Sequence, residues 1–308
     1  MAKKVILIAD PGIDTSFAVA LALHDPELDV LALVPTAGNV SAEQATINCH
    51  VLIDLLDPPK WPKLASALPV QYESNGAALH GPQGLGDLSF EICPRNPPPP
   101  ADKVLIDLVR EHPREVTVIV LGPSTTLAAA FARDPDLARL VERVVLVGGA
   151  YREPGNVGPV AEFHVWLDPE AAKQILHADC HPTLISLDVT RKLILSPTEL
   201  LELPNPNSRT CKFLRQVVPF ALRASASLYG IEGFHLKDVL GIAAVALPGS
   251  VSTQPKCVDV ETKGEATRGM TVVDDRRTPS GPPNVHLATG AAIGEIRQYV
   301  ERILTGAP

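Results

Sequence analysis

The 308-residue sequence lacks a basic field: 27 Lys and Arg face 35 Asp and Glu, for a formal net charge of −8, and the cations are scattered rather than clustered. Phosphate backbones and anionic membrane surfaces recruit concentrated positive charge, so nucleic-acid binding is disfavoured. Long apolar runs are missing as well. The opening "MAKKVILIADPG" holds an apolar stretch of only Val5–Ala9, too short for a signal segment. Nothing later approaches the roughly 18 apolar residues of a membrane span. The expectation is a cytoplasmic protein with no membrane partner. The five cysteines, Cys49, Cys93, Cys180, Cys211 and Cys257, are odd in number and widely spaced, with no C-x-x-C pair. That pattern predicts neither a disulfide framework nor a zinc site, and the cysteines read as reduced and mostly structural. Neither G-x-x-x-x-G-K-[ST] nor G-x-G-x-x-G follows any predicted strand, which removes the common phosphate-loop and dinucleotide fingerprints. No internal repeat is visible.

What is present is an ordinary globular composition, 45% hydrophobic and 20% charged, long enough to bury a large core. Val5–Ala9, Val30–Val34, Val116–Leu121, Val144–Val147 and Thr183–Leu187 are short, β-branched and bounded by turn residues, as strands buried on both faces are. Ser16–His24, Ala42–Leu56, Lys103–Glu111, Thr126–Ala132 and Pro169–His177 lie between them with apolar residues at helical spacing. This β-α alternation predicts an α/β fold: an open, mixed, mostly parallel sheet with helices on both faces. In the C-terminal third, Phe213–Gly230 and Asp238–Gly249 read as helices, the first kinked at Pro219. Val258–Glu261 and Met270–Val273 read as a strand pair, and Ala291–Leu304 as a closing helix. The proline-rich Asn96–Pro100 reads as a rigid surface connection, because alternation resumes immediately after it. One continuous domain over residues 1–308 is predicted.

In such sheets ligands bind outside the carboxyl ends of the strands, so the strand-end sequences carry the functional information. The first is "VILIADPGID" (Val5–Asp14), where two acids flank a Pro-Gly turn. Asp14 or Thr15 could simply cap the following helix. Capping does not account for Asp10, a carboxylate ending an apolar strand, which needs a charge partner or a metal. "TAGN" (Thr36–Asn39), "LGPSTT" (Leu121–Thr126) and "GGAYREPGN" (Gly148–Asn156) end later strands. "LHGPQGLGD" (Leu79–Asp87) brings His80, "GNVGPVAEFHVWLDPEAA" (Gly155–Ala172) brings Asn156, Glu162 and His164, and "FHLKDVLGIAA" (Phe234–Ala244) brings Lys237 and Asp238. Taken singly, Asp168 and Asp238 read as N-caps, Gly84–Gly86 as a turn and His80 as a core histidine.

Taken in order, these stretches resemble the inosine-uridine preferring nucleoside hydrolases, or N-ribohydrolases, over nearly the whole chain. The family opens D-x-D-P-G-x-D-D, and "IADPGIDT" (Ile8–Thr15) keeps its middle. "TAGN", "LHGPQGLG", "LGPSTTLA", "VGGA", "GN", "AEF", "DPEAA" and "TRGMTVVD" follow where that pattern places them. The resemblance implies hydrolysis of a nucleoside or related riboside to ribose and free base, in a homodimer or homotetramer. It also implies a Ca²⁺ ion held by Asp10, Thr15, the Thr125 carbonyl and Asp238, with Asp10 as general base. Asp14, Asn39, Asn156 and Glu162 would hold ribose hydroxyls, and His80 would face the base.

Four positions depart from the family pattern. Ile8 and Thr15 stand where it has acids, His164 where it has an asparagine, and Lys237 where it has the histidine credited with protonating the leaving base. All four are expected to surround the metal and the sugar. Losing a carboxylate ligand and gaining an ammonium weakens or abolishes Ca²⁺ binding on Coulomb grounds. Two readings stay open. In one, the chain is an N-ribohydrolase with Asp10 as base and Lys237 or His164 as leaving-group acid. In the other, it binds a nucleoside, ribose or small polyol without hydrolysis, Lys237 taking the cation's position. Phosphoryl transfer through Asp10 ranks behind both, for want of a basic anion clamp.

Overall fold

A computed structural model describes residues 2–90 and 98–308. Cys93 and the beginning of the Asn96–Pro100 segment lie outside the described residues. In chain order the strands are β1 (Lys3–Ala9), β2 (Leu28–Pro35), β3 (Lys63–Leu64), β4 (Val116–Leu121), β5 (Arg143–Val147), β6 (Thr183–Ile185), β7 (Ile194–Leu195), β8 (Phe234–His235), β9 (Val251–Lys256), β10 (Val258–Val260), β11 (Thr271–Val273) and β12 (Val285–Ala291). Eight of them form one sheet in the order β3-β2-β1-β4-β5-β6-β12-β9. Its pairs are parallel except β12 with β9. Two short antiparallel pairs, β10 with β11 and β7 with β8, stand apart.

The sheet is buried on both faces because its strands are apolar on both faces. Val5, Leu7 and Ala9 of β1 enter one core with the helices Ile13–His24, Arg209–Tyr229, Val239–Ala246 and Ile293–Gly306, while Ile6 and Ile8 enter a second core with Ala101–Glu111, Thr125–Arg133 and Pro169–Leu176. Alternate residues of a strand point to opposite faces, so one apolar run serves both cores. The chain runs outward from β1 through β2 to β3, then returns to place β4 on the other side of β1. The strand order therefore reverses between β1 and β4, and Asp10, just beyond β1, stands at the carboxyl edge of that reversal, where α/β sheets open a crevice.

The predicted mixed, mostly parallel sheet with helices on both faces is observed as a single domain, with differences at its margins. Neither β9 nor β12 was expected. The side chains of β9 are mostly exposed and include Pro255, and polar residues interrupt β12, so an edge pair of this kind carries no buried-strand signature. The last helix consequently starts at Ile293, since Ala291 still belongs to β12. Strand β6 stops at Ile185 because Ser186 and Leu187 open a short helix. The helix after β1 begins at Ile13 with Gly12 at its N-cap, so neither Asp14 nor Thr15 caps it. Asp14 lies inside the first turn, where the positive end of the helix favours a carboxylate.

Candidate active site

Asp10 is fully buried, and its two oxygens have different surroundings. Oδ2 accepts the Asn39 backbone N–H at 3.0 Å and lies 3.4 Å from Nε2 of His164. Oδ1 is buried without a hydrogen-bond partner. The Asn39 side chain returns the contact by donating Nδ2–H to the Asp10 carbonyl at 2.9 Å, which ties the end of β1 to the loop after β2. Such close approach needs Gly38: a Cβ there would stand 2.1 Å from Asp10 Oδ2. Burial raises the Asp10 carboxyl above the usual carboxylate range, against the opposing pull of His164.

His164 follows Glu162 at the start of the helix Phe163–Leu167. Its Nδ1 lies 3.1 Å from the Val147 carbonyl and 3.9 Å from Glu162 Oε1, while Nε2 faces Asp10. Burial alone would lower its pKa, but the Glu162 and Asp10 carboxylates outweigh that and raise it to about 10. Glu162 caps the same helix, its Oε2 accepting the backbone N–H groups of Gly149, His164 and Val165. Its second oxygen faces His164. The sequence expectation placed Glu162 on ribose, but here it is buried behind His164 and is not part of the cavity wall.

Thr15 and Asp238 are brought together from sequence positions 223 residues apart: the Thr15 hydroxyl donates to Asp238 Oδ2 at 2.7 Å. Asp238 Oδ1, like Asp10 Oδ1, is buried and unpartnered. Burial and the neighbouring Asp14 push the Asp238 carboxyl well up. Although Asp238 occupies the N-cap position of Val239–Ala246, its side chain makes no capping bond. Asp168, by contrast, caps as predicted, accepting Ala171 N–H at 3.0 Å. It also accepts the Thr125 hydroxyl at 2.6 Å, and that hydroxyl lies 3.1 Å from the Tyr72 hydroxyl.

These groups border a cavity of about 310 Å³, within the range of small-molecule sites. Asp14, Asn39, His80, Asn156, His164 and Lys237 contribute to its wall. His80 is neutral by geometry as well as by environment. Its Nδ1 accepts the Ile13 N–H at 3.0 Å, and burial lowers its pKa to about 4. Asn156 Oδ1 accepts Phe163 N–H, so this side chain both holds the loop and reaches the cavity. Burial would lower the Lys237 pKa, but Asp14, Tyr229, Glu162 and Asp238 raise it, so its ammonium persists.

Over residues 5–298 the sequence matches the family model described as inosine-uridine preferring nucleoside hydrolase. The chain belongs to that family. It is 35% identical to uridine nucleosidase 1 of Arabidopsis thaliana over 88% of this chain and 82% of that protein. It is 34% identical to the non-specific ribonucleoside hydrolase RihC of Escherichia coli, over 99% of both. Among solved structures, a plant nucleoside hydrolase superposes with a TM-score of 0.91 at 30% identity, covering 100% of both chains. A purine-preferring ribonucleoside hydrolase from Gardnerella vaginalis gives 0.91 at 29% identity, over 99% of both.

The Ca²⁺ site that family resemblance implies can be tested on these residues. The unpartnered oxygens of Asp10 and Asp238 are donors a metal could satisfy. Two neighbours do not fit. Thr15 directs its hydroxyl hydrogen at Asp238, and an imidazole stands against Asp10. Among the described residues, no three His, Cys, Asp or Glu side chains are arranged to hold an ion. The set is therefore a poor calcium cage.

Ile8, expected among these departures, lies in the second core with no exposure and is not part of this cavity's wall. Three departures, not four, touch the site. Sequence reading missed Leu228 and Tyr229 as cavity residues. They end the helix predicted over Phe213–Gly230, which runs from Arg209 to Tyr229 with Gly230 as a left-handed cap. An aromatic residue followed by a capping glycine was the available signal.

Proposed function

We propose that this family member hydrolyses the N-glycosidic bond of a nucleoside with Asp10 as general base. The observation that carries the assignment is the asymmetry of Asp10. One oxygen is fixed by Asn39 and His164, and the other is buried and free, at the strand end where the sheet order reverses. A raised carboxyl pKa suits proton abstraction near neutrality. Water would lose a proton to Asp10 Oδ1 as its oxygen bonds to the anomeric carbon. The C–N bond pair leaves with the base, through an oxocarbenium-like state that nearby carboxylates favour. Asp14, Asn39 and Asn156 would bind ribose hydroxyls from the cavity wall. Glu162 would act by holding His164 and the Phe163–Leu167 helix in place.

Lys237 is assigned to the departing base. Its ammonium is in the wall near Tyr229, and would give a proton or its charge to the leaving nitrogen. His164 is bound to Asp10 and the Val147 carbonyl, which makes it the weaker candidate for that role. No step is routed through calcium. A second hollow of about 410 Å³ shares Asn156, Leu228, Tyr229 and Lys237 with the first, and gives the base side room for purines or pyrimidines. The relatives' names span uridine, purine and non-specific preferences, and no single base is assigned. A homodimer or homotetramer in the cytoplasm belongs to the same reading. No helix among the described residues is long and apolar enough to cross a membrane.

The test is ribose release from a panel of purine and pyrimidine nucleosides, with Asp10→Asn as control. Release that disappears in the folded Asn variant is expected. Turnover unchanged in the variant would refute Asp10 as base, and no release by folded wild type would leave a binder without turnover.

A further inference from the structure

The loop 36–40 after β2 carries contacts that fix Asp10, and a separate segment of the chain holds that loop from outside. The Asn39 N–H donates to Asp10 Oδ2, and the Asn39 side chain donates to the Asp10 carbonyl. Gly38 lies so close that a Cβ there would stand 2.1 Å from Oδ2. Any shift of this loop is therefore passed to the Asp10 carboxylate. Segment 72–76 grips the loop near both of its ends. The Tyr72 hydroxyl donates to the Ala37 carbonyl at 3.0 Å, and the Ser74 hydroxyl donates to the Val40 carbonyl at 2.8 Å. Gly76 closes against the middle, where a Cβ would stand 2.5 Å from Asn39 Cα. Tyr72 also reaches a second strand end: its hydroxyl is 3.1 Å from Thr125 Oγ1, which gives its own hydrogen to Asp168 at 2.6 Å. With the Thr125 hydrogen committed to that carboxylate, the single Tyr72 hydrogen is shared between the Ala37 carbonyl and the Thr125 oxygen. One phenol thus ties the loop after β2 to the start of the helix Thr125–Arg133 and, through Thr125, to Asp168.

We infer that Tyr72 is a positioning residue for the hydrolysis proposed above, holding the loop that aims Asp10 while touching no substrate itself. The inference rests on Asp10 as general base. Tyr72 is not part of the cavity wall, and it lies in none of the stretches that carry the family resemblance. Its hydroxyl restrains the separation of two strand ends that converge beside Asp10. A reacting group has to be held within about 0.5 Å of its productive geometry, and restraint of that order is what neighbouring hydrogen bonds supply. Where 1 Å of misplacement costs about a hundredfold in rate, half of that is worth about tenfold.

Tyr72→Phe keeps the ring and removes the hydroxyl. Tyr299→Phe is the matched control, because its hydroxyl donates to Asp25 Oδ2 at 2.8 Å in a buried bond beyond the far end of the helix Ile13–His24, away from Asp10. Each variant loses one phenolic hydrogen bond, so a merely structural Tyr72 would behave as Tyr299 does, with a lower unfolding temperature and an unchanged kcat. Tyr72→Phe is expected to lower kcat for ribose release about tenfold with KM within about twofold of wild type, since the cavity wall is untouched. Full kcat in the folded variant, or a raised KM with kcat retained, would overturn the inference. Hydrogen exchange at the Asn39 amide, which donates to Asp10 Oδ2, reads the loop without substrate. It is expected to be about tenfold faster in Tyr72→Phe than in Tyr299→Phe, and equal exchange would overturn the inference whatever the rate. Should Tyr72→Phe not fold, Ser74→Ala removes the other side-chain bond onto this loop and is held to the same two criteria. If folded wild type releases no ribose, the hydrolysis reading fails, and exchange alone decides whether segment 72–76 holds the loop at Asp10.

Discussion

Gly38→Ala tests the positioning of Asp10 without touching its chemistry. The added Cβ would meet Asp10 Oδ2 at 2.1 Å and Asp10 Cβ at 2.8 Å, whereas ordinary contact begins near 3.4 Å. The shortfall at Oδ2 exceeds about 1 Å, and a displacement of that size at a reacting group costs on the order of a hundredfold in rate. Asp10 cannot swing away cheaply, because Oδ2 is held by Asn39 N–H and His164, and the residue is fully buried. The strain should also cost about 1–3 kcal/mol of stability, typical of overpacking in a close-packed interior. The assay is kcat and KM for ribose release from the best nucleoside of the panel, with unfolding temperature measured in parallel. Gly294→Ala is the control, since nothing lies within 4 Å of a Cβ at that helical position. The control should keep its rate and gain a few tenths to about 1 kcal/mol from lower chain entropy in the unfolded state. A Gly38→Ala protein that is folded and keeps full kcat would refute the claim that the Asp10 position limits the reaction.

Two further perturbations address the charge network. Thr15→Val keeps the side-chain shape and removes the donor to Asp238, leaving Oδ2 beside an already unpartnered Oδ1. A stability loss of about 1–3 kcal/mol is expected in denaturant titration, and no loss would mean that the 2.7 Å contact contributes nothing. His164 has a folded pKa raised from 6.5 to about 10, so its proton favours the folded state. That contribution is complete below pH 6.5 and disappears as pH rises through about 10. Wild-type stability should therefore fall over this window relative to His164→Asn, and parallel pH–stability curves for the two proteins would contradict the pairing.

The departures from the family pattern illustrate the limits of reading sites along a chain. Ile8, two residues before Asp10, was expected at the site, but it lies within β1 and is packed into the second core, whereas Asp10 stands beyond the end of the strand. Glu162 was expected on ribose because its stretch matched the family, yet its carboxylate is occupied by two helix-start amides, by the Gly149 amide and by His164. His164 and Lys237 were legible as unusual residues. That one of them stands 3.4 Å from Asp10 and the other shares a cavity wall with Asp14 required the folded chain.

By itself the sequence determined the elements and the edge of the sheet that holds the site. Buried parallel strands must be apolar on both faces, helices must repeat their apolar residues every three or four positions, and turns must break both patterns. These are local requirements, written wherever they act, and they placed Asp10 and Asn39 at strand ends. The edge pair of β9 and β12 escaped because exposure relaxes those requirements. Tertiary structure alone decided which charges meet. Thr15 reaches Asp238 and His164 reaches Asp10 because separate strand ends converge where the sheet order reverses between β1 and β4. Electrostatic pairing depends on distance and burial in space, neither of which sequence separation encodes.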